Sequence, residues 1–449
     1  MEKADILIHG GTLFSMVEGE GPRPASIAIK DGKILAILAP GENVDAEIKI
    51  DASGCYVSPG FVDSHMHDEY FADTDTVQQG LIRQGVTTAV AGHCGSGPEV
   101  LRSIEARPDP WLHLSYMVGN CALREAVGHS DRYSPATPAE IEEMKILLRK
   151  SFADGAMGLS LGLEYAPGAS YEELDALAKV VAEYPDRLIT SHIRYDDVRC
   201  TAATEEMVRL TRENGIRLQI SHLGSMTMGH TQESIDIIDA AMEEGLDIGL
   251  DCYPYDAFCA KAASAVYDDT FVKRWNGKGP EYLEAASGRF KGQRLTFETL
   301  AIMRREEPMD LIIAHVMDKE EVDNCVAHPK CIVASDALYT GGGAHPRLAG
   351  TFPRALGVLR EKGYDWWDAL AKMTSMPADL MRLPAGRIHA GAAADVIVFD
   401  PETFKDNATF HEPFLPPDGL HAVVINGVLT LRDGKFSEAP HGDFYKRKS

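Results

Sequence analysis

With 449 residues, 45% of them hydrophobic, the chain is long enough to bury a large core and to hold a big domain beside a smaller one. Its 44 Lys and Arg face 68 Asp and Glu, and a net charge of −24 argues against nucleic acid and anionic membrane surfaces as partners. No basic segment leads into an apolar stretch at the start, no run of about 18 apolar residues occurs, and eight unevenly spaced cysteines suit free thiols, which together predict a cytoplasmic protein.

Residues 1–58 are expected to form short strands separated by turns, with Asp31-Gly32 as a hairpin signal. The middle of the chain alternates apolar runs with amphipathic helical patterns. Thr137, Pro138 and Glu140 open one helix with a capping box, Ser170 and Glu173 repeat the device, and a third helix leaves at Asn214-Gly215 straight into an apolar run. This βα rhythm predicts a TIM-like (β/α)8 barrel over residues 59–384. Nine candidate strands compete for its eight places, and DLIIAHV is the one demoted. Residues 385–449 return to β texture, with turns at Asn426-Gly427 and Asp433-Gly434, so both termini are expected to build one small β-sandwich domain.

Polar residues interrupt the candidate strands at their C-terminal ends, where barrel enzymes carry their sites. His65 and His67 are two apart and face one side of an extended strand. Cys94, His192, His222 and Asp336 each end a further strand. Singly, a strand-end histidine packs, an aspartate caps a helix, and Cys94 is a buried filler, a nucleophile or a ligand. Five strands delivering these six side chains to one rim match the donor set of a borderline-soft divalent metal. A nucleophilic Cys94 needs a base beside it, and His93 points to the opposite face of the strand.

PGFVDSHMH, GVTTAVAGHCG, GLSLGLEYAPG, SHIR, SHLG, DCYPY, SDALYTGGGAHPRLAGTFPR and GAAADVIVFDP together resemble the amidohydrolase superfamily, and within it the N-acyl-D-amino-acid deacylase (D-aminoacylase) family. The resemblance implies hydrolysis of the amide of an N-acyl-D-amino acid to a carboxylate and a free D-amino acid. It implies Zn2+ held tightly by Cys94, His192 and His222, with His65 and His67 lining a second site that is weak or empty. Many superfamily members bridge two metals with a carboxylated lysine on strand four; GLSLGLEYAP has none, and the Cys94 thiolate takes its place, with Glu164 as a competing bridge. Asp336 is expected to move a proton from the attacking water to the departing amine, Arg347 to bind the substrate α-carboxylate bidentately, and Tyr165 to contact the same group. The family's strand-six lysine is Gly224 here, and Lys261 is the candidate replacement, set against a solvated surface lysine. Rival readings are a dipeptidase acting on a C-terminal D-residue, a cyclic-amide hydrolase, or an inactive metal-binding scaffold.

Overall fold

The computed structural model describes residues 3–42, 44–69, 74–98 and 109–448. A nine-stranded sheet gathers strands from both ends of the chain: Ala4–Leu13, Arg23–Lys30, Lys33–Leu38, Ala46–Asp51 and Tyr56–Pro59 join Val396–Phe399, Leu420–Ile425, Val428–Arg432 and Lys435–Phe436. The junction is the antiparallel pairing of Tyr56–Pro59 with Val396–Phe399. Alternate residues such as Ile6, Ile8, Ile27, Ile29, Val396 and Val398 bury one face of it.

All three expected turns form, and for one physical reason. At Asp31-Gly32, Asn426-Gly427 and Asp433-Gly434 both residues have positive φ, the backbone of the tight turn whose twist matches its flanking strands. Gly427 has a second constraint: a Cβ there would lie 2.6 Å from the Cα of Gly32, so two turns nearly 400 residues apart in sequence abut through bare backbone.

The middle of the chain builds parallel strands. Phe61–Met66 pairs with Val86–Ala91, which pairs with His113–Tyr116. The run expected as one strand breaks at Met117 and resumes as Val118–Gly119. Beside it lie, in order, Gly158–Gly162, Leu188–His192, Arg217–Ile220, Ile248–Cys252 and Cys331–Val333, all parallel. Every residue of these strands but Arg217 is buried, the mark of a parallel sheet covered on both faces. After the last strand the chain returns to the first through a parallel bridge between Met66 and Ala337 and through Ser335 N, which donates to Asp63 Oδ1 at 2.9 Å.

Intervening helices follow their signals closely. Pro138–Ala153 starts in the expected capping box, with Thr137 N donating to Glu140 Oε2 at 2.6 Å. Cys200–Asn214 ends at a left-handed Gly215. Tyr171–Ala182 departs from expectation: Ser170 accepts from Glu173 N, but the Glu173 carboxylate turns away to Arg124 on a neighbouring helix, so the box is half made.

The demoted run DLIIAHV lies outside the parallel strands. Leu311–Ala314 pairs antiparallel with Phe258–Lys261 and Leu283–Ala285 in a small lobe inserted between the last two parallel strands. Among the described residues no helix is long and apolar enough to cross a membrane. All eight cysteines are free.

Candidate metal centre and active site

The strand ends converge as their positions suggest. Ligand atoms of Cys94, His192 and His222 lie within 4.8 Å of one another, as do those of His65, His67, Cys94 and Asp336, and all are buried. The Cys94 Sγ, common to both groups, is 3.3 Å from His65 Nε2 and 3.4 Å from His222 Nε2. His192 Nδ1 is 3.1 Å from His222 Nε2.

Backbone strain marks the same place. Cys94, His222 and Asp336 are non-glycine residues with φ of 54°, 33° and 50°, held there so that their side chains turn inward. The Cys94 turn packs so closely on the fourth strand that a Cβ at Gly162 would sit 2.1 Å from the Cys94 carbonyl oxygen. The strand that lacks a lysine is thus the one on which the cysteine leans.

Each imidazole is oriented through its far side. His192 Nε2 meets Glu164 Oε2 at 3.0 Å, His65 Nδ1 meets Asp251 Oδ2 at 3.4 Å, His67 Nδ1 meets Glu69 Oε1 at 2.9 Å, and Ser225 Oγ meets His222 Nδ1 at 3.2 Å. Such outer partners fix the tautomer and leave the other nitrogen for a metal. Glu164 therefore stands behind His192, and the bridging position weighed for it from the sequence is not where it lies.

The protonation states fit a zinc ligand set. Burial lowers His192 and His222 to about 4, so both are neutral donors at pH 7. Burial pushes the Cys94 thiol up to about 12, which a divalent cation at this spot reverses by favouring the thiolate. At His67 burial favours the neutral ring, yet Glu69, Asp336 and Cys94 together outweigh it and hold the pKa well above the ordinary value.

Asp336 sits between the histidines and a cation. Its Oδ1 is 3.4 Å from His65 Nε2 and 3.2 Å from His67 Nε2, and its Oδ2 is 2.9 Å from Arg347 Nη1. Burial opposes its ionisation, but Arg347 and the histidines hold its carboxyl well below the usual range. Arg347 is 1% exposed, stacks 4.9 Å over the Tyr253 ring, and donates Nη2 to the Cys259 carbonyl. Its Nη1 is committed to Asp336, and its Nε meets no hydrogen-bond partner among the described residues.

A cavity of about 420 Å3 opens over this group, lined by His67, Cys94, Tyr165, Lys261, Asp336 and Arg347 among others. The Tyr165 ring lies tilted against His192, with ring centroids 4.5 Å apart. Lys261 is half-buried in the lining, and burial pulls its pKa down to about 8.

Sequence reasoning missed several participants. His345 accepts from Arg347 N at 3.1 Å and fixes the start of that helix. Asp251, inside the quoted DCYPY, supports both His65 and the His222 amide, and Glu69 follows the His-x-His pair directly; a search for carboxylates near the ligands finds both. Tyr253 is buried under Arg347, and His93, passed over as a base, stacks 4.2 Å from His65. Asp196 and Arg274, which meet Glu164 behind His192, had no local signal.

The chain matches the amidohydrolase family over residues 49–254 and 225–431. It is 31% identical to the D-aminoacylase of Alcaligenes xylosoxydans xylosoxydans, with 96% of each chain covered. A solved N-acyl-D-glutamate deacylase from Bordetella bronchiseptica, complexed with zinc and a phosphonate mimic of the tetrahedral intermediate, superposes with a TM-score of 0.88 at 30% identity, covering 99% of this chain and 100% of that one. A solved D-aminoacylase, described as having a binuclear metal centre with one-metal activation and second-metal attenuation, gives a TM-score of 0.87 at 29% identity, with 99% and 100% covered.

Proposed function

The chain belongs to the amidohydrolase family, in its N-acyl-D-amino-acid deacylase branch, and we propose that it is a cytoplasmic zinc-dependent hydrolase that cleaves N-acyl-D-amino acids into a carboxylate and a free D-amino acid. The observation that carries the proposal is the meeting of Cys94, His192 and His222 with Asp336 and Arg347 beneath one cavity. The matching architecture is a (β/α)8 barrel of residues 59–384 beside a β domain of residues 1–58 and 385–449. It is supported by the Met66–Ala337 bridge and by the pairing of Tyr56–Pro59 with Val396–Phe399.

Cys94, His192 and His222 hold the tight zinc, which when bound supplies Lewis acidity for the amide carbonyl and lowers the pKa of water towards about 7. His65 and His67 line a weaker second site.

Asp336 is the proton carrier. Ionised between His67 and Arg347, its carboxylate accepts the proton of the attacking water and passes it to the nitrogen of the breaking amide, which departs as an amine. Arg347 serves two carboxylates: its Nη1 keeps Asp336 ionised, and its guanidinium, in the cavity lining, faces the substrate α-carboxylate. Tyr165 and Lys261 complete the anion-binding wall, and the lysine stands in for the cation missing at Gly224.

An enantiomer-resolved screen of N-acetyl amino acids and dipeptides with zinc tests this reading. Turnover of the D-substrates, abolished by Asp336→Asn, is the expected result. Hydrolysis confined to L-substrates, or activity that survives in Asp336→Asn, overturns it.

A further inference from the structure

At the Nε2 side of His192 lies a buried cluster that the proposed reaction does not use. Arg274 Nη1 is 2.8 Å from Glu164 Oε1 and also pairs with Asp196 Oδ1. The other oxygen of Glu164 meets His192 Nε2 at 3.0 Å, and the other oxygen of Asp196 accepts from Trp275 Nε1 at 2.7 Å. Arg274 Nη2 donates to the Val266 carbonyl, inside its own lobe. Glu164, Asp196 and Trp275 are all buried.

The four residues come from different parts of the fold. Glu164 follows the strand Gly158–Gly162, Asp196 follows Leu188–His192, and Arg274 and Trp275 close the short helix Phe271–Arg274 in the lobe inserted before the last parallel strand. A buried ion pair contributes little net stability compared with an apolar pair of the same size, because both charges lose water. Arg274 Nη1 ties down one oxygen of Glu164 and leaves the other aimed at His192 Nε2. An acceptor at this place holds the proton on Nε2, keeps the Nδ1 lone pair turned toward Cys94 and His222, and makes that lone pair more basic.

We propose that Arg274 is a positioning residue for the metal centre: through Glu164 it sets the orientation and donor strength of His192, so the inserted lobe tunes how tightly zinc is held. The proposal rests on the zinc reading given above. Glu164 is the lever, Asp196 and Trp275 fix the guanidinium, and the lobe supplies the anchor.

Chelator competition on metal-stripped, refilled protein measures the effect without turnover. Glu164→Leu and Arg274→Met are expected to weaken zinc on the order of 10- to 100-fold, the usual scale for losing an outer partner of a ligating histidine. Arg274→Lys is expected to recover part of the loss, since it keeps the charge without the fork. The absorption bands of the cobalt-substituted protein should shift in Glu164→Leu and Arg274→Met. Should Arg274→Met fail to fold, the isosteric Glu164→Gln gives the same comparison, with a loss of a few fold. Folded variants that bind zinc within twofold of the parent, with unshifted cobalt bands, overturn the proposal. Cys94→Ala in the same titration separates the two levels: undiminished zinc binding there overturns the metal centre itself, and this proposal with it.

Discussion

A thiol enclosed by apolar atoms and three imidazoles stays protonated on its own, and only a cation makes it a donor. Cys94 is therefore expected to be worth more to the metal than any one histidine: Cys94→Ala should lose tightly bound zinc and nearly all activity, as read by metal analysis of the purified protein. Cys94→Ser is the milder test, because a hydroxyl binds zinc poorly. The pH profile of kcat/KM tests a second residue, because it reports groups in the free enzyme. Burial lowers Lys261 to about 8, so its charge is present below that pH and lost above it. If it binds an anionic substrate, kcat/KM falls as pH rises through about 8, and Lys261→Met removes that limb while lowering the plateau. A falling limb unchanged in the variant assigns it elsewhere. At this scale the sequence was legible where chemistry and period coincide, as at His65 and His67, whose spacing of two survives the break in strand register after Asp63. It was not legible at Arg274, which reaches Glu164 across 110 positions and belongs to no local pattern.

Elements were legible in proportion to how far local signals decide them. Capping residues, left-handed glycines and two-residue turns are settled within a few positions, and they appear where expected. Contacts between helices are not settled locally, and Glu173 is the instructive case. Its sequence position says capping box, yet the carboxylate crosses to Arg124 Nη1 at 2.5 Å and becomes a buried ion pair between the helices Asn120–Ala126 and Tyr171–Ala182. The same guanidinium donates to the Ser134 carbonyl at 2.6 Å and so holds the segment that carries Arg132 into the cavity wall. Removing one partner strands a buried charge, so Glu173→Ala is expected to destabilise the protein by about 3–5 kcal/mol in denaturant unfolding. The double variant Arg124→Met with Glu173→Leu should recover most of that stability while raising KM, because the wall loses its tether. Stability of the double variant no better than that of the single one refutes the assignment.

At the scale of the whole molecule, the nine-stranded sheet could be foreseen from matching β texture at the two ends, because strands of one composition on either side of a different middle have little else to pair with. The last stretch, APHGDFYKRKS, falls within the part expected to join the terminal β domain, but it is polar and has no period that names a strand partner. Instead it runs along the edge of the strand His113–Tyr116. Gly442 N donates to Pro110 O, Leu114 N to Asp443 O, Tyr445 N to Leu114 O and Arg447 N to Gly155 O, all at 2.7–2.9 Å. The Tyr445 ring stacks on His113 at 4.6 Å and 9°, and His113 Nε2 in turn meets Asp395 Oδ1 at 3.0 Å beside the terminal strands. The tail thus laces the nine-stranded sheet to the parallel strands, on the strand beside the one that leads to Cys94. Four backbone hydrogen bonds alone do not offset the ordering of the segment, so the ring stack of Tyr445 on His113 has to contribute as well. Deleting residues 440–449 is expected to lower the denaturant midpoint while leaving zinc stoichiometry at its parent value. Tyr445→Ala should show a smaller loss of the same kind. A truncated protein with an unchanged midpoint, or one that releases zinc while still folded, refutes the strap and ties the tail to the metal centre instead.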